Sequence, residues 1–119
     1  MRVLIVDDHP EFRRTAARFL GLLGYEPVEA GNAQDAEQAL QAHEGQIDMV
    51  MLDVCLQGQP SGHLADALCR VRPGLPVLFM SGYPREDVVT DGMVEENRAF
   101  IEKPFSVDAL AEALGRLRG

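Results

Sequence analysis

Apolar residues along this chain fall into short unbroken runs, separated by longer stretches in which they recur every three or four positions. Val3-Leu4-Ile5-Val6, Met49-Val50-Met51-Leu52 and Val77-Leu78-Phe79-Met80 are continuous and bounded by polar or turn residues. Runs of that kind suit strands covered on both faces, as in a parallel sheet. Pro27-Val28-Glu29-Ala30 and Ala99-Phe100-Ile101 are shorter and more mixed, which suits the edges of a sheet. Between the runs, Phe12, Ala16, Phe19, Leu20 and Leu23 share one helical face, with Gly24 placed as the stop. Ala36, Ala39 and Leu40 repeat the spacing behind Asn32, a good N-cap. Leu64, Leu68 and Val71 define a third helix, ended by Pro73-Gly74. Pro84 opens a fourth through Val88, Val89 and Met93, which Gly92 weakens by about 1 kcal/mol relative to alanine. Val107, Leu110, Ala111, Leu114 and Leu117 form the last, capped by Ser106 with Asp108 in its first turn.

Strand and helix thus alternate five times, with no internal repeat, linker or low-complexity segment. That alternation predicts an α/β fold in three layers, a parallel sheet with helices on both faces and right-handed crossovers. Three apolar strands at the centre and two mixed ones at the edges satisfy the flavodoxin-like (βα)5 order 2-1-3-4-5. One domain over residues 1–119 accounts for the whole pattern.

Composition narrows the partners. The chain has 119 residues, 46% hydrophobic and 25% charged, enough to bury a core without a disulfide or structural metal. Eleven basic against nineteen acidic side chains leave a formal net charge of −8, which argues against nucleic acid or an anionic membrane as a partner. No apolar run approaches the ~20 residues of a membrane span, and Asp7 interrupts the first run too early for a signal peptide. Cys55 and Cys69 form neither a disulfide framework nor a metal-ligand spacing. The expectation is a reduced, cytoplasmic, acidic domain.

Ligands of such sheets bind beyond the carboxyl ends of the strands. The first strand ends in Asp7-Asp8, the third in Asp53, the fourth in Ser81 and the fifth in Lys103, so three carboxylates, a hydroxyl and an ammonium should converge on one rim. Clustered carboxylates repel, and a hard divalent cation relieves that repulsion. Two carboxylates with a backbone carbonyl and waters form the oxygen-rich, partly hydrated site that Mg²⁺ prefers. At the centre, Asp53 is placed to attack phosphorus and form an acyl phosphate. Mg²⁺, the Lys103 ammonium and the Ser81 hydroxyl would each take one phosphoryl oxygen. No histidine or cysteine base is expected beside them, and a carboxylate nucleophile needs none. Taken singly, Asp7-Asp8 is also an ordinary solvated strand end, Ser81 a turn residue and Lys103 a surface charge. His9, His43 and His63 have no ligand spacing and read as surface residues, as do the pairs Glu86-Asp87 and Glu95-Glu96 on the fourth helix, which a basic partner could use.

Val6-Asp7-Asp8-His9, Leu52-Asp53-Val54, Met80-Ser81-Gly82-Tyr83 and Lys103-Pro104-Phe105, in that order and spacing, resemble a two-component response-regulator receiver domain over the whole chain. The resemblance implies that Asp7 and Asp8 carry Mg²⁺, Asp8 directly, with the backbone carbonyl of Cys55. It implies that Asp53 accepts a phosphoryl group from a sensor histidine kinase or a histidine phosphotransfer protein, in a phosphorelay. It makes Lys103 and Ser81 the phosphoryl-binding groups and the Lys103-Pro104 bond cis. Phe100 takes the place of the switch aromatic, although a static edge-strand aromatic fits the position too. Readout, and any homodimer, would use the face of the fourth helix, fifth strand and fifth helix.

The chain departs from the family pattern after Asp53. Receivers usually carry proline four residues after the phosphorylated aspartate and glycine four after that; here Gln57 holds the first place, and the glycine arrives as Gly62. The loop Gln57-Gly58-Gln59-Pro60-Ser61 is one residue longer and, like Ser81-Gly82-Tyr83, resembles receivers attached to hybrid kinases. Asp8-His9-Pro10 resembles the start of DNA-binding regulators instead, and a start at Met1 suits an N-terminal or free-standing receiver. Two rival readings remain. A degenerate receiver acting as a scaffold would lack some of Asp8, Asp53, Ser81 and Lys103. A Mg²⁺-dependent aspartyl-phosphate hydrolase would carry Asp-x-Asp where this chain has Asp53-Val54-Cys55.

Overall fold

The computed structural model describes every residue except Glu44 and Glu96. Its elements are β1 (Arg2–Val6), α1 (Pro10–Leu22), β2 (Glu26–Ala30), α2 (Ala33–Ala42), β3 (Met49–Asp53), β4 (Cys55–Leu56), β5 (Gln59–Pro60), α3 (Gly62–Val71), β6 (Val77–Ser81), α4 (Arg85–Thr90), β7 (Ala99–Glu102) and α5 (Val107–Arg118). The main sheet is parallel throughout, in the order β2-β1-β3-β6-β7. This is the order 2-1-3-4-5 expected from the sequence once the small β4-β5 hairpin is set aside. The three uninterrupted apolar runs are the three inner strands, since only strands flanked on both sides and covered on both faces require such runs.

Alternation along each strand divides the core in two. Val3, Ile5, Met49, Met51, Leu78 and Met80 face α1 and α5, where Ala16, Leu20, Leu110 and Leu114 cover them. Leu4, Val6, Val50, Leu52, Val77 and Phe79 face the other layer, covered by Ala36, Leu40, Leu64, Ala65 and Leu68. Two caps act as their residues suggest: Asn32 Oδ1 accepts from the Asp35 N–H at 2.8 Å and Ser106 Oγ from the Ala109 N–H at 3.0 Å.

Three expectations need correction. Val71, placed on the inner face of the third helix, is 54% exposed; α3 ends there, and its burial stops at Leu68. The fourth helix is shorter than its apolar spacing suggests, because Gly92 terminates it rather than weakening its interior. Gly92 has φ +74°, its N–H bonds the Val89 carbonyl at 3.0 Å, and the next N–H, of Met93, reaches back to Val88 at 3.1 Å. These are the paired bonds of a Schellman stop, with Met93 and Val88 packed in the same core. Glu95, expected on this helix, therefore lies beyond it and exposed, and Glu96 falls outside the described residues. Finally, the loop after Asp53 is an antiparallel hairpin, with Cys55 opposite Pro60 and Leu56 opposite Gln59. Gln57 (φ +52°) and Gly58 (φ +78°) form its two-residue turn, and two positive φ values are what a type I′ turn requires.

Glycine positions yield an opposed pair of outcomes. Gly115 lies inside α5 with open space where a Cβ would stand, so Gly115→Ala should stabilise by about 0.5–1 kcal/mol. Gly92→Ala forces a left-handed alanine and should destabilise by about 1–2 kcal/mol. Urea denaturation of the two variants beside the parent measures both; equal effects would refute the helix stop at Gly92.

Candidate functional site

All the strand-end side chains expected to converge do so. Asp7 follows β1 directly, its N–H bonded to the Ala30 carbonyl at 3.1 Å, and it is fully buried. Asp53 closes β3 and Ser81 closes β6, both buried. Lys103 follows β7, held by its N–H to the Ser81 carbonyl at 2.7 Å, which carries the β6–β7 pairing one step past the strand ends. From there its Nζ donates to Asp7 Oδ2 at 2.6 Å and to Asp53 Oδ2 at 2.9 Å. The ammonium also sits 4.3 Å from the centre of the Phe12 ring, which Phe105 braces edge-on at 5.5 Å. The Lys103-Pro104 bond is cis.

Asp8 stands apart from this pairing. Its Oδ2 accepts the Gln57 N–H of the hairpin turn at 2.9 Å. Its Oδ1 is buried and accepts no hydrogen bond. The remaining Asp53 oxygen, Oδ1, accepts the Cys55 N–H at 3.2 Å, and buried Ser61 hydrogen-bonds the Asp53 backbone carbonyl through Oγ. Ser81 Oγ accepts the Tyr83 N–H at 2.9 Å. Asp8, Asp53, Ser81, Tyr83, Met93 and Lys103 line one open cleft of about 520 Å³.

Charge in this cleft is unbalanced. Burial raises the Asp53 pKa above the ordinary carboxylate range; the Lys103 ammonium and the Cys55 N–H pull it down without cancelling the rise, and the Asp7 charge adds to it. Burial also opposes the Lys103 charge, but hydrogen bonds to Asp7 and Asp53, with their charges, prevail and raise the lysine pKa. A divalent cation fits the donors: oxygens of Asp7, Asp8 and Asp53 and a His9 ring nitrogen lie within 4.8 Å of one another, and Asp8 Oδ1 accepts no hydrogen bond. Hard oxygen donors of this kind suit Mg²⁺.

Phe100 lies outside the cleft, half-buried on β7 opposite Phe79 and packed against the α2–α3 core. His9, expected as a plain surface residue with no imidazole near the site, is exposed but turns its ring inward, with Nδ1 3.1 Å from Asp7 Oδ1 and 3.2 Å from Asp8 Oδ1. The cause is local, since a residue directly after Asp7-Asp8 cannot leave the rim. That adjacency was the available signal for His9. No side-chain pattern announces the Gln57 N–H, the Ser61 hydroxyl or the Phe12 platform, because each depends on the hairpin or on α1 docking.

The family model for the response regulator receiver domain matches residues 3–115. The chain belongs to that family. It is 33% identical over 111 residues to the nitrogen assimilation regulatory protein NtrX of Azorhizobium caulinodans, across 91% of this chain and 24% of that protein. The solved receiver domain of the hybrid histidine kinase CckA superposes with a TM-score of 0.81 at 29% identity, covering 100% of both chains. The response regulator TrrA of Thermotoga maritima, solved in complex with Mg²⁺-BeF, superposes at 0.78 with 25% identity, covering 98% of this chain and 97% of that one. This receiver spans 12% of the sensor kinase CckA of Brucella abortus and 34% of the regulatory protein AruR of Pseudomonas aeruginosa.

The raised Asp53 pKa sets a pH dependence in metal-free buffer. A carboxyl whose folded pKa exceeds its unfolded value favours folding fully below the unfolded value, about 3.9, and that contribution is lost as pH rises through the folded pKa. Asparagine does not titrate. The stability of Asp53→Asn relative to the parent should therefore grow as pH rises from about 4 towards neutrality. Thermal melts in EDTA across that range check it, and a gap that shrinks with pH would contradict the electrostatic assignment.

Proposed function

We propose that this receiver is a phosphorylatable switch in a two-component phosphorelay, accepting a phosphoryl group on Asp53 from a sensor histidine kinase or a histidine phosphotransfer protein. The observation that carries the reading is Asp53 itself: a buried carboxylate, paired by Lys103 to Asp7, on the wall of an open cleft that also holds Asp8 and Ser81. An Asp53 oxygen attacks phosphorus, and the bond from phosphorus to the donor nitrogen breaks with its electron pair left on the imidazole, producing an acyl phosphate. Lys103, already within hydrogen-bond reach of Asp53, offers its ammonium to one phosphoryl oxygen. Ser81 Oγ, which accepts from the Tyr83 N–H, keeps its own hydroxyl hydrogen for another. Asp7, Asp8, Asp53 and the Cys55 backbone carbonyl would hold Mg²⁺, which supplies the positive charge that three carboxylates and one ammonium lack.

Withdrawal of the Ser81 side chain towards the phosphoryl group would alter the space at Phe100, making it the switch aromatic. Readout, and a possible homodimer, would use the face of α4, β7 and α5. The domain is a signalling module that catalyses its own phosphorylation and dephosphorylation, without nucleic acid or membrane as a partner, in the cytoplasm. Among the described residues no helix is long and apolar enough to cross a membrane. The presence of Asp8, Asp53, Ser81 and Lys103 favours the switch over a scaffold, and Cys55 two places after Asp53 disfavours the hydrolase.

Intact-mass spectrometry after incubation with Mg²⁺ and acetyl phosphate tests the assignment. One phosphoryl group should add to the parent and none to Asp53→Asn; labelling that survives the substitution would refute Asp53 as acceptor. Mg²⁺ should also raise the melting temperature, by the equivalent of about 2.7 kcal/mol at a concentration 100 times its Kd. A melt unchanged by Mg²⁺ would count against the cation site.

A further inference from the structure

His9 is the N-cap of α1, yet its side chain makes no capping hydrogen bond. Its backbone N–H donates to Asp7 Oδ1 at 2.8 Å, and its ring folds back over the two carboxylates. Nδ1 stands 3.1 Å from Asp7 Oδ1 and 3.2 Å from Asp8 Oδ1, and the latter oxygen is the one that accepts no hydrogen bond. Adjacent donors on an octahedral cation held at about 2.1 Å lie about 3.0 Å apart, so these separations match two edges of such a shell. The other Asp8 oxygen is tied to the Gln57 N–H, which leaves Oδ1, on the His9 side, for a cation.

We propose that His9 Nδ1 is a donor to the divalent cation of this receiver, giving the site a nitrogen-containing ligand set that favours Mn²⁺ and Co²⁺ over Mg²⁺. The inference rests on the reading of Asp7, Asp8 and Asp53 as a cation site and adds a residue that sets its preference. Mg²⁺ is a hard ion that keeps oxygen and water around it, whereas imidazole suits first-row transition ions. Carboxylates alone rank these ions in the same order, so the distinguishing quantity is how much of the preference disappears with the ring. A ring that merely pairs with the carboxylates would compete with every cation, and its removal would tighten all of them equally.

The test uses the 119-residue chain without a tag and titrates Mg²⁺, Mn²⁺ and Co²⁺ by calorimetry into the parent, His9→Gln and the control His43→Gln/His63→Gln. Because His9 is exposed, its variant should fold, and a thermal melt verifies this. Mn²⁺ and Co²⁺ affinity should fall about ten-fold or more in His9→Gln, with Mg²⁺ changed less than about two-fold. Electron spin-echo modulation of the Mn²⁺-loaded parent should show ligand nitrogen, absent from His9→Gln and retained in the control. Mn²⁺ binding without the nitrogen signal, its loss in the control, or an equal change for all three ions overturns the role of His9 alone. No binding of any ion by the parent overturns the cation site itself, and this inference with it.

Discussion

Parallel strands that end side by side deliver their terminal side chains to one rim, and here that rim places two buried carboxylates together. Asp7, just past β1, and Asp53, at the end of the adjacent β3, lie side by side, and without a cation between them their repulsion in a low-dielectric setting would oppose folding. Lys103 answers this from 96 and 50 residues away in sequence, with one ammonium reaching both. It gets there because β7 pairs with β6 and its backbone hydrogen bond to Ser81 continues that pairing past the strand end. The first, central and last strands of the sheet are thereby joined by a single charge. Phe12 and Phe105 complete the arrangement by giving the lysine stem an aromatic wall from α1.

One ammonium among three carboxylates leaves the rim short of positive charge. Burial is the main reason that the Asp53 pKa is raised, Lys103 does not cancel the rise and the Asp7 charge adds to it, so a further cation in the cleft would stabilise the fold. The same deficit would restrain the proposed phosphoryl transfer, since an incoming phosphoryl group is itself anionic. In the proposed reaction, nucleophile and charge acceptor would thus be one problem: a reactive Asp53 would need extra positive charge both before and during transfer.

The framework was legible because it follows from periodicity. Three unbroken apolar runs had to be inner strands, two mixed runs had to be edges, and the strand-end carboxylates then had to meet at one rim. Asn32 and Ser106 were readable as caps because their chemistry is local. What escaped was non-local or depended on backbone angles. Gly92 read as a weak helix residue because spacing does not reveal that its φ is positive. The hairpin was hidden because Gln57 is not a residue that advertises a left-handed turn. His9 reads as a surface residue because it has no ligand spacing to the other histidines, whereas its adjacency to Asp7 and Asp8 is what brings its ring to the rim.

That hairpin changes how Asp8 can act. An aspartate at a strand end ordinarily offers both oxygens to solvent or cation, with nothing to choose between them. Here the turn at Gln57 points its N–H at Oδ2, and Ser61, at the other end of the same loop, holds the backbone of Asp53. A single short excursion therefore grips two of the three carboxylate residues, one by its side chain and one by its main chain. The left-handed conformation of Gln57 costs on the order of 1 kcal/mol, and the turn that requires it delivers the N–H to Asp8. The consequence is directional. With Oδ2 committed to the hairpin, Asp8 presents Oδ1 towards the His9 ring, so the hairpin would decide which side of the rim is left open for a cation.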